Sequence, residues 1–253
     1  MKSQNLPQKT KKLLNHYLNI KVGGKKIVCP YYQNLRKQTK PPVFAGKGTP
    51  SEIEAEIKKL IKIKPSIAKY NYNSTRLALV EADIGIDCSG LVVSLLNQFI
   101  LDTLKVSLFS VISPSAFSLP KWLIFKLRPR TNLSAHKLTW PPISKPVNFN
   151  QAKPGDLIKV GKGHIAIVTQ TTYQKGQIQK ITYAHSTPDY GVNYGVRQGE
   201  IIVIDPKKPL AGQNWTETDE NGTNWMKKDF DSAAKKYRGT YRPTLLLPAS
   251  LRS

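Results

Sequence analysis

The amino-acid sequence predicts an α+β fold in which helices occupy the first half of the chain and an antiparallel sheet the second. Two helical patterns come first: an apolar repeat after Pro50 and the apolar run Leu91–Leu96. From residue 157 onward the apolar pattern has a period of two, in short runs separated by turn residues. Because helices and strands are segregated along the chain, the pattern favours α+β.

The best-marked helix begins after Thr49. Thr49 has the residue type of an N-cap, Pro50 suits the first helical position, and Glu52 completes a capping box. Pro65 ends the pattern, and a second, shorter helix is expected around Thr75–Ala82. The apolar positions of the first helix are Ile53, Ile57, Leu60, Ile61 and Ile63.

Four strands are expected in the second half of the chain. A Pro-Gly-Asp turn precedes the first strand, and Asp156 is interpreted as a turn residue. Turn residues also separate the first two strands, and Pro206 follows the last. The predicted strands are Leu157–Val160, His164–Thr171, Gln177–His185 and Val196–Ile204.

Composition and breakers divide the chain of 253 residues into three parts. Residues 1–65 are predicted to be a basic extension, loop-like up to residue 48 and then helical. Residues 66–205 are predicted to form the main domain, with a proline-rich, irregular insertion at about 101–150 that covers one side of the site. Residues 206–253 are expected to pack on that domain as a C-terminal extension.

The formal net charge of +23 favours contact with anionic polymers or surfaces. Nucleic acid, anionic lipid and cell-wall polymers all fit this charge, as does a basic surface that only aids solubility. The two cysteines, Cys29 and Cys88, are expected to be reduced. No signal peptide is visible, because the N-terminus has no apolar core segment. No membrane span is visible either, because charged residues interrupt the longest apolar stretch.

The segment Asp87-Cys88-Ser89-Gly90 directly precedes the apolar run of a buried helix. A cysteine at a helix N-terminus experiences the positive end of the macrodipole, which favours the thiolate. With a nearby imidazole, such a thiolate becomes a catalytic nucleophile. Cys88 is therefore the candidate nucleophile, and its own backbone N–H is a candidate oxyanion donor.

Two histidines lie on the strands that flank a predicted hairpin. A two-residue turn at Gln174-Lys175 places His164 directly opposite His185, whereas a turn at Lys175-Gly176 makes them diagonal neighbours. Either turn puts both imidazoles on one face of the sheet. We assign His164 as the general base and His185 as the residue that orients it.

A zinc site is the alternative to a catalytic site for this cluster, because Asp87, Cys88, His164 and His185 are all residue types that bind zinc. No close-spaced ligand pair is present, so neither a metal nor another cofactor is expected. His136 is interpreted as a surface residue.

These residues resemble the NlpC-type cell-wall cysteine peptidases, a bacterial branch of the papain-like superfamily. The resemblance covers about residues 66–205 and implies a papain-like fold, in which the Cys-bearing helix packs against an antiparallel sheet. The matching segments, in order, are Asp87–Val92, Arg128–Asn132, Lys153–Ile158, Gly163–Val168 and Tyr183–Ser186.

The resemblance also implies an activity, hydrolysis of amide bonds in peptidoglycan stem peptides, often between γ-D-glutamate and a diamino acid. Cys88, His164 and His185 fall on the family's nucleophile, base and orienting residue. Asp87 and Ser89 fall on positions that often hold the free amine of the stem peptide, and Tyr72 is the candidate for an upstream substrate-binding tyrosine. A wall or extracellular location follows from the same resemblance, and nucleic acid is not the expected partner.

Two other functions remain open from the sequence. The same Cys/His site is compatible with an acyltransferase or with an amidase that acts on another substrate, because the chemistry does not by itself select water as the acceptor. A non-catalytic binder of anionic polymer would account for the charge of +23 without using the site.

Overall fold

A computed structural model describes residues 1–33, 41–112, 118–190 and 194–247. The chain is a mixed α+β protein, as predicted. In chain order, its α-helices within these ranges are α1 (Gln8–Tyr17), α2 (Pro50–Ile63), α3 (Tyr72–Glu81), α4 (Cys88–Leu104), α5 (Leu108–Val111), α6 (Leu119–Leu127), α7 (Ala135–Leu138) and α8 (Trp225–Ser232).

The paired strands of the described residues are antiparallel and form one large sheet and one small hairpin. The order in the large sheet is β4-β10-β5-β6-β7-β8-β9, and β1 also pairs with β6, whereas β2 and β3 form the hairpin. The strands are β1 (Lys2–Asn5), β2 (Ile20–Val22), β3 (Lys25–Ile27), β4 (Ser144–Val147), β5 (Leu157–Val160), β6 (His164–Gln174), β7 (Gln177–Thr187), β8 (Gly195–Ile202), β9 (Asn214–Trp215) and β10 (Gly239–Pro243).

The local signals of α2 and the central strands are confirmed. Thr49 caps α2, its side chain accepts from the backbone of Glu52, and the Glu52 side chain accepts from the backbone N–H of Thr49, which completes the capping box. The four predicted strands correspond to β5, β6, β7 and β8, with ends that shift by up to three residues. The predicted short helix is α3, which begins three residues earlier than expected.

The prediction that residues 1–48 are loop-like is wrong. This region contains β1, α1, β2 and β3, and β1 extends the large sheet by pairing with β6. Leu14 and Tyr17 of α1 are buried in the core, so packing against the rest of the molecule stabilises this short helix. Residues 34–40 of the region lie outside the described residues.

The insertion at 101–150 is less irregular than predicted. It contains the end of α4, the helices α5, α6 and α7, and the edge strand β4. The C-terminal part supplies β9, α8 and β10, and β10 pairs with both β4 and β5. The division of the chain at residues 65 and 205 stays a prediction; in the structure, both outer parts add strands to the same sheet.

The large sheet is covered on both faces. On one face, α4 packs against β6 and β7, and its residues Leu91, Leu95 and Leu96 are fully buried. On the other face, Trp215, Met226 and Phe230 cover Ile158, Val168 and Ile181. Burial on both faces explains why β5 is apolar at nearly every position rather than alternating.

Asp156 is more than the turn residue that the sequence suggests. Its carboxylate is buried and accepts two hydrogen bonds from Arg242 of β10, both 2.7 Å, and one from the backbone N–H of Lys153. This bidentate ion pair ties β10 to the turn before β5. In the described part of the chain, no helix combines the length and apolar character that a membrane crossing requires.

Candidate active site

Cys88 is the first residue of α4, as predicted. Asp87 is the N-cap, and its carboxylate accepts a 2.6 Å hydrogen bond from the backbone N–H of Gly90. This cap fixes the direction in which the helix starts, and with it the position of the Cys88 side chain. The N–H of a first helical residue has no partner within the helix, so the backbone at Cys88 can donate to a ligand.

The sulfur of Cys88 lies against the residues on either side of His164. Its thiol donates to the carbonyl oxygen of Gly163 at 3.4 Å, and the backbone N–H of Ile165 donates to the sulfur. The cysteine is 2% exposed. The start of α4 and the start of β6 therefore meet at the sulfur, whereas contact between the sulfur and the ring of His164 stays a prediction.

The protonation of Cys88 differs from the expectation. Burial and, to a smaller extent, the neighbouring Asp87 carboxylate raise the pKa of the thiol to about 12. Lys47 and the N–H groups of Ile165 and Ser89 act in the opposite direction without overcoming burial. The helix end therefore does not produce a resting thiolate, and the sulfur needs a base at the moment of attack.

The two histidines share one face of the β6–β7 hairpin. The turn is Lys175-Gly176, both with positive φ, as a type I′ turn requires. This is the turn for which the sequence predicts diagonal neighbours. His164 Nε2 lies 3.0 Å from His185 Nδ1, and the rings meet edge to face.

Two register shifts in the hairpin cancel each other. One lies between Thr172 and Tyr173 and the other between Val168 and Gln170. Between the two shifts, the register of β6 against β7 is offset by one residue. Beyond the second shift, the strands return to the register that the turn sets. Because a shift of one residue turns side chains to the opposite face, the second bulge returns the histidines to the same side.

Glu217 is a site residue that the sequence did not reveal. It follows β9, is 7% exposed, and its two carboxylate oxygens lie 3.0 and 3.1 Å from His185 Nε2. Tyr183 donates to the same carboxylate at 2.9 Å, and Arg197 Nε donates at 2.6 Å. These hydrogen bonds and charges lower the pKa of Glu217 to about 2, despite its burial.

The carboxylate of Glu217 determines the proton positions along this chain of residues. An ionised carboxylate only accepts, so His185 Nε2 carries a proton and donates it. When each ring holds one proton, His185 Nδ1 accepts from the Nε2–H of His164, which leaves the lone pair of His164 Nδ1 free. Burial and the neighbouring His185 lower the pKa of His164 to about 3, so its ring is neutral in the resting state.

Gly199 makes room for this carboxylate. A Cβ at residue 199 would overlap the hydroxyl of Tyr183 and the carboxylate of Glu217. Gly199 pairs with Tyr183 across β7 and β8, and His185 pairs with Arg197 in the same ladder. The pairing of β7 with β8 thus places Tyr183, His185 and Arg197 around the carboxylate of Glu217.

Asp87 and Ser89, the predicted amine-binding residues, are already bonded to a cation of the chain itself. Lys47 Nζ donates to Asp87 Oδ1 at 2.7 Å and also to the hydroxyl of Ser89. All three side chains are buried, with Lys47 8% exposed. A Cβ at Gly90 would overlap the carbonyl oxygen of Gly46, so glycine at position 90 lets the Lys47 segment reach the helix start.

A pocket of about 240 Å³ opens beside these residues. Four parts of the chain line it: the N-terminal region with Lys47, the start of α4, the α7 region of the insertion, and the turn between β5 and β6. Residues of the predicted insertion therefore form part of the pocket wall, and His136, interpreted as a surface residue, is exposed and lies on that wall. The lining residues are Gln33, Lys47, Asp87, Ser89, Thr131, Ser134, Ala135, His136, Lys162 and Gly163.

Tyr72 does not join this group. Its hydroxyl accepts from the backbone N–H of Val28, and Arg76 lies over its ring. Tyr31 is the tyrosine that approaches the nucleophile: burial raises its pKa, and the charges of Cys88 and Asp87 raise it further. Tyr31 also bridges to Ile86, immediately before the N-cap. Tyr31, rather than Tyr72, lies near Cys88 because the N-terminal region, which was predicted to be loop-like, is ordered and packs beside the start of α4.

Among the described residues, no group of three or more acidic, histidine or cysteine side chains has the arrangement of a metal site. Both cysteines are free thiols.

No protein-family model, curated protein or solved structure matches this chain. The site must therefore be interpreted from its own geometry.

Proposed function

We propose that this protein is a cysteine peptidase of papain-like architecture that hydrolyses amide bonds in peptidoglycan stem peptides. One observation carries the proposal: the sulfur of the helix-start Cys88 contacts the backbone on either side of His164, and His164 is linked through His185 to the carboxylate of Glu217. A nucleophile, a base and an orienting group in hydrogen-bonded sequence are the requirements for covalent acyl transfer.

The proposed reaction begins with the neutral thiol. As the sulfur of Cys88 bonds to the carbonyl carbon, its proton moves to His164 Nδ1, and the charge that develops on the carbonyl oxygen is stabilised by the backbone N–H of Cys88. His164 then gives the proton to the departing amine, which leaves a thioester. Water, deprotonated by His164, attacks the thioester and releases the carboxylic acid and the thiol.

The choice of substrate rests on the resemblance and on charge. The segments that resemble NlpC-type peptidases include each of the residues Cys88, His164 and His185. A chain with a formal charge of +23 is attracted to a cell wall rich in carboxylate and phosphate groups. We accordingly propose the cell wall or the extracellular space as its place of action.

The test is digestion of purified muropeptides by the wild-type protein and by the Cys88→Ala variant, with mass spectrometry of the products. We expect the wild type to yield fragment pairs whose summed mass exceeds that of the substrate by one water, and the variant to yield none. Identical products from both would refute the proposal. Adding a primary amine separates hydrolysis from acyl transfer, since transfer gives an amine adduct in place of the acid.

Lys47 restricts which substrate nitrogen, free or acylated, fits beside Asp87 and Ser89. Its ammonium occupies the Asp87–Ser89 position, so a substrate with a free amine there would have to displace a buried ion pair. An ammonium has three N–H donors, and the two contacts with Asp87 and Ser89 leave one for an acceptor of the substrate. We therefore propose that the enzyme prefers peptides in which the corresponding nitrogen is acylated.

The predicted preference is measurable with two peptides. We expect an N-acetylated stem peptide to be cleaved at least about tenfold faster, by kcat/KM, than the same peptide with a free amino terminus, a difference of about 1.4 kcal/mol in transition-state binding. In a Lys47→Met variant the preference should shrink or reverse, because Asp87 becomes free for a substrate cation. Equal rates for both peptides in the wild type would contradict the role of Lys47 but not the peptidase activity.

A further inference from the structure

The helix α6 presents an unusual amount of apolar side chain to solvent. Leu119 and Leu127 are 73% and 82% exposed, and Leu123 and Ile124 are more than half exposed. Phe125 is the residue of this helix that is buried in the core. A helix of nine residues that exposes four large aliphatic side chains needs an explanation beyond folding.

The exposed apolar residues form one continuous stripe. Leu119, Leu123 and Leu127 follow one another at intervals of four, which keeps them on one side of an α-helix, and Ile124 extends that side. At about 100° per residue the stripe spans an arc of about 140°, and Phe125 points away from it toward the protein. The face that is apolar is thus the face that points outward.

Cations border this stripe on both sides. By the same helical spacing, Lys126 lies next to Leu119, and Lys121 and Arg128 lie next to Ile124. Lys126 also rests over the ring of Trp122, 4.6 Å from its centre. A broad apolar face edged by lysines, with a tryptophan at the boundary, is the pattern of a helix that lies in a membrane interface.

The surrounding sequence strengthens the positive charge of this region. Between Asp102 and Asp156 the chain contains eight Lys or Arg residues and neither Asp nor Glu. The pKa of Lys137 is lowered mainly by burial and also by the positive charge of Lys121, so the two lysines are close enough to repel each other. Cations that repel each other across one surface are stabilised by an anionic partner.

We propose that α6 docks on the surface of a bilayer that contains anionic phospholipid. The leucine stripe enters the boundary between headgroups and acyl chains, and Lys121, Lys126 and Arg128 contact lipid phosphates. The helix does not span the bilayer; it holds the protein at the surface reversibly.

Docking through α6 also positions the candidate active site. After the helix ends at Leu127, the chain leads through Arg128 to Arg130, which forms a bidentate ion pair with Glu52 of α2, at 2.6 and 2.7 Å. Thr131 and Ser134, a few residues further on, line the site pocket. The pocket would therefore be held close to the membrane surface rather than at a distance from it.

The test is cosedimentation of the full chain with vesicles. We expect binding to vesicles of phosphatidylcholine with phosphatidylglycerol, in a ratio of roughly two to one, and at least about tenfold weaker binding to phosphatidylcholine alone. The double variant Leu123→Ser/Leu127→Ser, which leaves the charge unchanged, should bind the anionic vesicles at least about tenfold more weakly than the wild type.

A matched control is the double variant Leu77→Ser/Ile204→Ser, which removes two other exposed apolar side chains, 55% and 62% exposed, from other parts of the surface. It should bind like the wild type. Failure of the wild type to bind anionic vesicles, or equal binding by the wild type and the α6 variant, would overturn the proposal. So would a wild-type dimer in solution that becomes a monomer in the α6 variant, because a second copy would then cover the stripe.

Discussion

The Glu217→Gln variant is expected to lose about 10² to 10⁴-fold in kcat while remaining folded. A glutamine has the size of the glutamate, but its amide can donate to His185 Nε2, which an ionised carboxylate cannot do. The proton of His185 then moves to Nδ1, and His164 Nε2 must accept instead of donate. His164 Nδ1 would then carry a proton, and the base would face Cys88 in the wrong tautomer.

The measurement is steady-state hydrolysis of the muropeptide substrate, together with the ¹⁵N chemical shifts of the histidine rings. In the wild type we expect His185 to be protonated at Nε2, and in the variant at Nδ1. A merely structural role for Glu217 would leave the tautomer unchanged. A Glu200→Gln variant, which breaks a half-exposed pair with Lys180, is the control and should retain full activity.

Glu217 also makes stability depend on pH. Its folded pKa is about 2, below the ordinary value of 4.5, so the unfolded chain binds a proton more readily than the folded one. The stabilisation is therefore complete above the unfolded pKa and is lost as the pH falls from about 4.5 toward 2. In Glu217→Gln, this part of the acid destabilisation should disappear, which acid titration of the folded fraction would show.

The Arg242→Met variant is expected to lower the free energy of unfolding by about 3–5 kcal/mol. Arg242 and Asp156 form a buried, bidentate pair, and removal of one partner leaves the other charge buried and uncompensated. Arg242 also donates to the carbonyl oxygen of Gln151 at 2.6 Å, so a backbone acceptor loses its partner as well.

Urea unfolding followed by circular dichroism measures this effect. The control is Lys59→Met, which breaks the exposed pair with Glu56 and should change stability by less than about 1 kcal/mol. An additional Asp156→Asn substitution should cost less in the Arg242→Met background than alone, because the two residues interact directly. A change under about 1 kcal/mol for Arg242→Met would mean that water compensates the carboxylate.

Local chemistry allowed the central part of this molecule to be predicted from its sequence. The capping box at Thr49, the helix start at Asp87 and the two-residue turn, for which the sequence left Gln174-Lys175 and Lys175-Gly176 open, each depend on residues that are neighbours in the chain. Such signals act over a few residues, so a single sequence contains them in full. The approach of the Cys88 sulfur to the backbone beside His164 follows from placing two of these elements together.

The residues that the sequence did not reveal act across long separations. Glu217 is 32 positions from His185 and reaches it only because β8 and β9 lie beside β7. Lys47 is 40 positions from Asp87 and depends on the glycine at position 90. Neither carries a local pattern that distinguishes it from other charged residues. Burial raises the pKa of Cys88, an effect that the sequence does not reveal because it indicates the helix end but not the depth of burial.

The position of β10 in the sheet has a consequence for biosynthesis. This strand, Gly239–Pro243, separates β4 from β5, which come about eighty to one hundred residues earlier in the chain. During translation, the backbone groups on the facing edges of β4 and β5 therefore stay unpaired until residue 243 has left the ribosome. Nascent chains would be most prone to aggregation in this interval, and a premature stop there should give insoluble product rather than a shorter enzyme.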